Sequence, residues 1–159
     1  MKKQLFSFFY AFRGVWNAIC TEAHLRFHLT AGFYVLLFSL FFEWNAAQYG
    51  IVIVLIAAVI AAELFNTAIE NVCDLITKEK NTYIRIAKDI SAAAVLIFAF
   101  AAVAVAVLFF GNAAAFVRMI SFFADNPLPA ALLLLSAICA VLFVAWGPRG
   151  LRKKIHKNR

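Results

Sequence analysis

Four polar residues recur along one stretch of an otherwise apolar run: Glu63, Asn66, Glu70 and Asp74, at i, i+3, i+7 and i+11. On a helix of about 100° per residue they fall within an arc of roughly 80°. Leu64, Phe65, Ile69 and Val72 take the other faces. Carboxylates at membrane depth are costly, about 2.5–3.5 kcal/mol each on an insertion scale. Acids sharing a face repel one another unless protons or cations intervene. Oxygen ligands of this kind suit magnesium, with phosphate as a co-ligand. The same stripe would also serve to join helices or line a water-filled crevice.

Two further polar groups flank apolar runs. Arg85, Lys88 and Asp89 share one side of the next helix, where cations would contact phosphate or snorkel to the interface. Glu22, His24, Arg26 and His28 open the first run. The i, i+4 histidines could hold a metal, but no third ligand stands nearby, so they read as ordinary interfacial histidines. Cys20, Cys73 and Cys139 are isolated and odd in number, which suggests neither a disulfide framework nor a zinc site. No GxxxxGK[ST] phosphate loop and no protein-kinase glycine loop is present.

The elements that position these groups are membrane helices. The chain is 65% hydrophobic and 14% charged, against roughly 45–50% and about 25% in soluble domains. Its apolar residues gather in blocks at Leu29–Phe42, Ala46–Ala62, Ser91–Phe110 and Leu128–Trp146. The fold expected is all-α, an integral membrane helical bundle. It has an N-terminal amphipathic surface helix at 4–20 and three core spans at about 25–42, 46–76 and 84–110. An extra fourth span lies at about 128–146, after an interfacial segment. At 1.5 Å per residue the second span would run roughly 45 Å, so its last turns should emerge beyond the hydrocarbon layer. Residues 1–110 form one unit; residues 111–159 add the interfacial segment, the last span and a basic tail. No cleavable signal peptide is expected, because Arg13, Gly14 and Asn17 break the first apolar stretch.

The net charge of +7 could suggest nucleic acid, but its distribution points to a bilayer. With four spans, Arg118 alone of the 15 Lys and Arg residues falls on the outer face. Lys78, Lys80, Arg85 and Lys88 lie between spans two and three, and a tail from Arg149 to Arg159 follows span four. By the positive-inside rule both termini are cytoplasmic. The basic tail then anchors to anionic headgroups, and no nucleic-acid partner is expected.

The run Glu63-Leu-Phe-Asn66-Thr67-Ala68-Ile69-Glu70 followed by Asp74 resembles the signature of the prokaryotic diacylglycerol kinase family. Ala87-Lys88-Asp89 followed by Ala92–Ile97 matches its second block. Glu22 with Arg26-Phe27-His28 is similar to the first-span opening of the undecaprenol kinase branch, and Tyr10, Arg13 and Gly14 fit the family's surface helix. The resemblance covers about residues 3–110. It implies ATP- and magnesium-dependent phosphorylation of a membrane lipid alcohol, undecaprenol favoured and diacylglycerol next, by a homotrimer with shared active sites in the bacterial cytoplasmic membrane. By position, Glu63 would be the general base and bind the lipid hydroxyl. Asn66 would orient the reacting groups. Glu22 and Glu70 would hold magnesium on the ATP phosphates, and Tyr10, Glu79, Lys88 and Asp89 would contact the nucleotide. The chain departs from the pattern at His24, at Lys80-Asn81, at Ala93 and in its fourth span. A rival reading makes Glu63, Glu70 and Asp74 the ion path of a small transporter or proton relay. It predicts charges spread across membrane depth, whereas these gather at one end. A third reading is a structural membrane subunit with an acidic helix contact.

Overall fold

The structure, a computed structural model, describes residues 2–77 and 79–157, with side chains at residues 4, 6–77 and 79–148. Lys78 and the side chains of the basic tail therefore lie outside the described residues. Every described element is α-helical: α1 Lys2–Thr21, α2 Ala23–Ser39, α3 Ala46–Ile76, α4 Thr82–Phe109, α5 Ala113–Asp125 and α6 Pro127–Lys157.

Asparagines start the helices that follow turns. Asn45 accepts from the Gln48 amide while the Gln48 side chain accepts from the Asn45 amide, a reciprocal cap. Asn81 accepts from the amides of Tyr83 and Ile84, and Asn112 from that of Ala115. Each cap satisfies donors left over in a first helical turn. α1 and α2 are separated by the extended Glu22 (φ −100°, ψ 117°), whose side chain makes no capping bond.

α3 packs along α4 and against α2; α6 lies against α2, and α1 touches α2, α3 and α6. Among the described residues three helices are long and apolar enough to cross a membrane: α3, α4 and the stretch Pro127–Pro148 of α6. The first span is shorter than expected. α2 has 17 residues, about 26 Å and the lower limit for a crossing. It stops at Ser39, whose hydroxyl bonds the Leu36 carbonyl at 2.7 Å, and Glu43 (φ 54°) reverses the chain. α6 breaks at Gly147, close to the expected end of the fourth span at about 146, and helix then resumes to Lys157.

The end of the bundle at the α2–α3 and α4–α5 turns is closed by aromatic rings. Trp44 and Phe42 are buried with Val52 and Ala115. The Trp44 indole donates to the Phe109 carbonyl at 3.0 Å, at the end of α4, and its ring meets Phe110 edge-on. Trp44 thus ties the α2–α3 turn to the α4–α5 turn. Replacing it by alanine is expected to cost about 3–5 kcal/mol of core packing. In detergent the thermal midpoint of Trp44→Ala should fall well below that of Trp16→Ala, which alters an exposed residue.

Candidate active site

The polar stripe of α3 meets a different neighbour at each end. Glu63 is 5% exposed, and its Oε1 lies 3.2 Å from His28 Nε2 on α2. A carboxylate buried in an apolar helix needs such a partner. The approach of α2 to α3 is set one turn beyond His28 by Gly32, where a Cβ would stand 2.9 Å from Ile56 Cγ2. His24, Glu70 and Glu22 also lie within electrostatic reach of Glu63.

Further along, the stripe turns to α4. The Asn66 amide donates to Glu70 Oε1 at 3.0 Å, and Asn66 Oδ1 accepts from the Ser91 hydroxyl at 2.6 Å. The Ser91 hydroxyl is also 2.9 Å from the Lys88 carbonyl. With both ends engaged, the Asn66 amide is fixed in orientation. Lys88 Nζ pairs with Asp74, and the charge of Glu70 also acts on Lys88. α4 thereby holds the distal half of the stripe as α2 holds Glu63.

Two hollows flank this line. An apolar cleft of about 280 Å³ opens between α2, α3 and α4, lined by Phe27, Gly32, Val59, Ala99 and Ala102, with His28 in its wall. A polar hollow of about 560 Å³ sits where α3 passes to α4, lined by Asp74, Glu79, Lys80, Arg85, Lys88 and Asp89. The residues expected from sequence therefore separate. Glu22, Glu63, Asn66 and Glu70 lie along the stripe and its α2 neighbour. Glu79, Lys88 and Asp89 line the polar hollow. Tyr10 is exposed on α1 outside that lining, with the Arg13 guanidinium 5.1 Å from its ring centroid. Among the described residues no group of three or more His, Cys, Asp or Glu side chains forms a metal cage.

Sequence reasoning undervalued His28 and passed over Ser91. His28 read as an ordinary interfacial histidine because its partner lies on another helix. Ser91 did carry a signal: it follows Lys88 by three residues, on the same face of an alanine-rich helix.

The sequence pattern of the family "Prokaryotic diacylglycerol kinase" matches residues 9–110. The chain belongs to that family. Its members are lipid kinases, phosphotransferases with an alcohol acceptor, and a kinase implies a nucleotide phosphoryl donor. The chain is 36% identical over 104 residues to the "Undecaprenol kinase" of Bacillus subtilis (strain 168), covering 65% of this chain and 85% of that protein. It is also 36% identical over 102 residues to the "Diacylglycerol kinase" of Synechocystis sp. (strain ATCC 27184 / PCC 6803 / Kazusa), covering 64% of this chain and 58% of that one. No solved structure matches. α5 and α6 fall outside the family match.

If Asn66 is held for function, Ser91→Ala should lower lipid-kinase turnover by about 1 kcal/mol of barrier, roughly fivefold. Asn66→Asp, which places a second carboxylate against Glu70, should lower it much further. Steady-state kinetics of the purified variants decide both.

Proposed function

We propose that this protein is an ATP- and magnesium-dependent kinase of a membrane lipid alcohol, undecaprenol before diacylglycerol. The observation that carries this reading is the buried Glu63, which opens a charged stripe and pairs with His28 in the wall of an apolar cleft. A lipid chain lying in the cleft would bring its terminal hydroxyl to the carboxylate. A nucleotide in the polar hollow would approach from the opposite side. The preference for undecaprenol rests on the match to most of the Bacillus relative and on Phe27-His28 at the cleft.

In this reading Glu63 accepts the proton of the lipid hydroxyl. The alcohol oxygen forms the new bond to the γ-phosphorus, and the bond from that phosphorus to the oxygen of the departing ADP breaks. His28 holds Oε1 of Glu63 and leaves the second oxygen for the substrate. Asn66 keeps Glu70 turned along the stripe. Lys88, Glu79 and Asp89 hold the nucleotide, and Tyr10 on the surface helix adds a contact as the chain closes over it.

Glu22 and Glu70 suit magnesium as a donor set. Both are half-buried carboxylates, Glu22 is not used as a cap, and only one oxygen of Glu70 meets Asn66. Magnesium commonly takes one or two carboxylates and completes its shell with phosphate oxygens and water. When bound there it would neutralise phosphate charge.

The membrane arrangement proposed has α2, α3, α4 and α6 crossing and α1 on the cytoplasmic surface, with both termini inside. It follows from the placement of basic residues. The exposed apolar residues Ile97 and Phe100 of α4 suit lipid or the neighbouring subunit of a trimer with shared sites.

The two-hollow arrangement makes a separable test. Ala102→Phe, which fills the apolar cleft, should raise KM for the lipid at least fivefold and leave KM for ATP within twofold. Lys88→Ala should raise KM for ATP and leave that for lipid. Both variants raising the same KM would reject the assignment of the hollows.

A further inference from the structure

Arg26 is 4% exposed and lies beside the candidate site without belonging to it. Its Nε and Nη2 donate to the Val144 carbonyl of α6 at 3.1 and 3.0 Å, and Nη1 donates to the Ile19 carbonyl of α1 at 2.9 Å. Both acceptors sit at helix C-terminal ends. Ile19 is in the last turn of α1, where carbonyls lack amide partners. Val144 would ordinarily receive the amide four residues on, but that residue is Pro148, which has no N–H. Two negative helix ends and two orphan carbonyls therefore converge on one guanidinium.

The backbone is shaped to let it in. Gly147 has φ 61° and ψ 175°, a region essentially restricted to glycine. A Cβ there would stand 2.9 Å from Arg26 Cζ and Nη1. Higher along the same two helices, the Tyr34 hydroxyl meets that of Ser136 at 3.0 Å.

We propose that Arg26 is a positioning residue and that α6, a helix outside the family match, fixes the active-site opening of α2 through it. Arg26 is one turn after Glu22, whose carbonyl its amide approaches at 3.4 Å, and two residues before His28. Locking the guanidinium onto α1 and α6 sets the rotation and depth of that turn. It therefore sets where His28 meets Glu63. This inference rests on the kinase reading for its catalytic consequence, but not for the geometry.

The test uses full-length protein: wild type, Gly147→Ala, Arg26→Lys and Ser136→Ala. Gly147→Ala drives a methyl into the guanidinium. Arg26→Lys keeps the charge but lacks the fork that spans two carbonyls. Ser136→Ala removes the remote α2–α6 bond alone. Two readouts are taken on the folded fraction: kcat with both KM values, and the side-chain ¹⁵N resonances of His28.

The expected result is a fall in kcat of about tenfold to a hundredfold in Gly147→Ala and Arg26→Lys, with KM for ATP within twofold and a displaced His28 signal. Ser136→Ala should match wild type in both. If Gly147→Ala does not fold, Arg26→Lys carries the same comparison. Wild-type kcat and an unmoved His28 signal in Arg26→Lys would overturn the proposal. An inactive wild type whose His28 signal still moves in the variants would sustain the positioning and reject the kinase reading instead.

Discussion

The contact between Glu63 and His28 is the constraint around which the polar half of the bundle is arranged. Glu63 is buried on a helix that is apolar over most of its length, where an uncompensated carboxylate would be strongly disfavoured. Its partner must come from another helix, so α2 has to approach α3 closely at this depth. Gly32 permits that approach one turn further on. α4 also packs on α3, and the space left between α2, α3 and α4 is the apolar cleft. The helix approach that the polar contact requires thus also borders the cleft, whose wall includes His28, the partner of Glu63.

The rest of the stripe is supported differently. Asn66, Glu70 and Asp74 approach the end of α3, where charge is less costly, and their partners Ser91 and Lys88 come from α4. One helix face is therefore held by two neighbours, with the chemistry expected at the boundary between them. The division matches what a lipid kinase requires. One substrate arrives through the bilayer and the other from water, and the acceptor hydroxyl must meet the phosphate where the two environments join.

Much of this was legible in the sequence because it is local. The i, i+3, i+7, i+11 spacing placed the stripe on one face, and the apolar blocks placed the long helices and the interfacial segment before the fourth span. The family motifs lie in the same local runs. What could not be read was set between helices. The His28 pairing depends on the crossing of α2 over α3. The end of α2 at Ser39, rather than Phe42, depends on a turn that the surrounding apolar residues conceal. Gly147-Pro148 follows the expected end of the fourth span, and the same pair leaves the Val144 carbonyl open for Arg26. That consequence becomes visible only when α6 lies against α2.

The most direct measurement is transfer of labelled γ-phosphate from ATP, with magnesium, to undecaprenol and to diacylglycerol in parallel, comparing purified wild type with Glu63→Gln in mixed micelles. The account predicts phosphorylation by wild type, greater with undecaprenol, and its loss in Glu63→Gln while the fold is retained. Transfer to neither lipid by well-folded wild type, or undiminished transfer by Glu63→Gln, would contradict it.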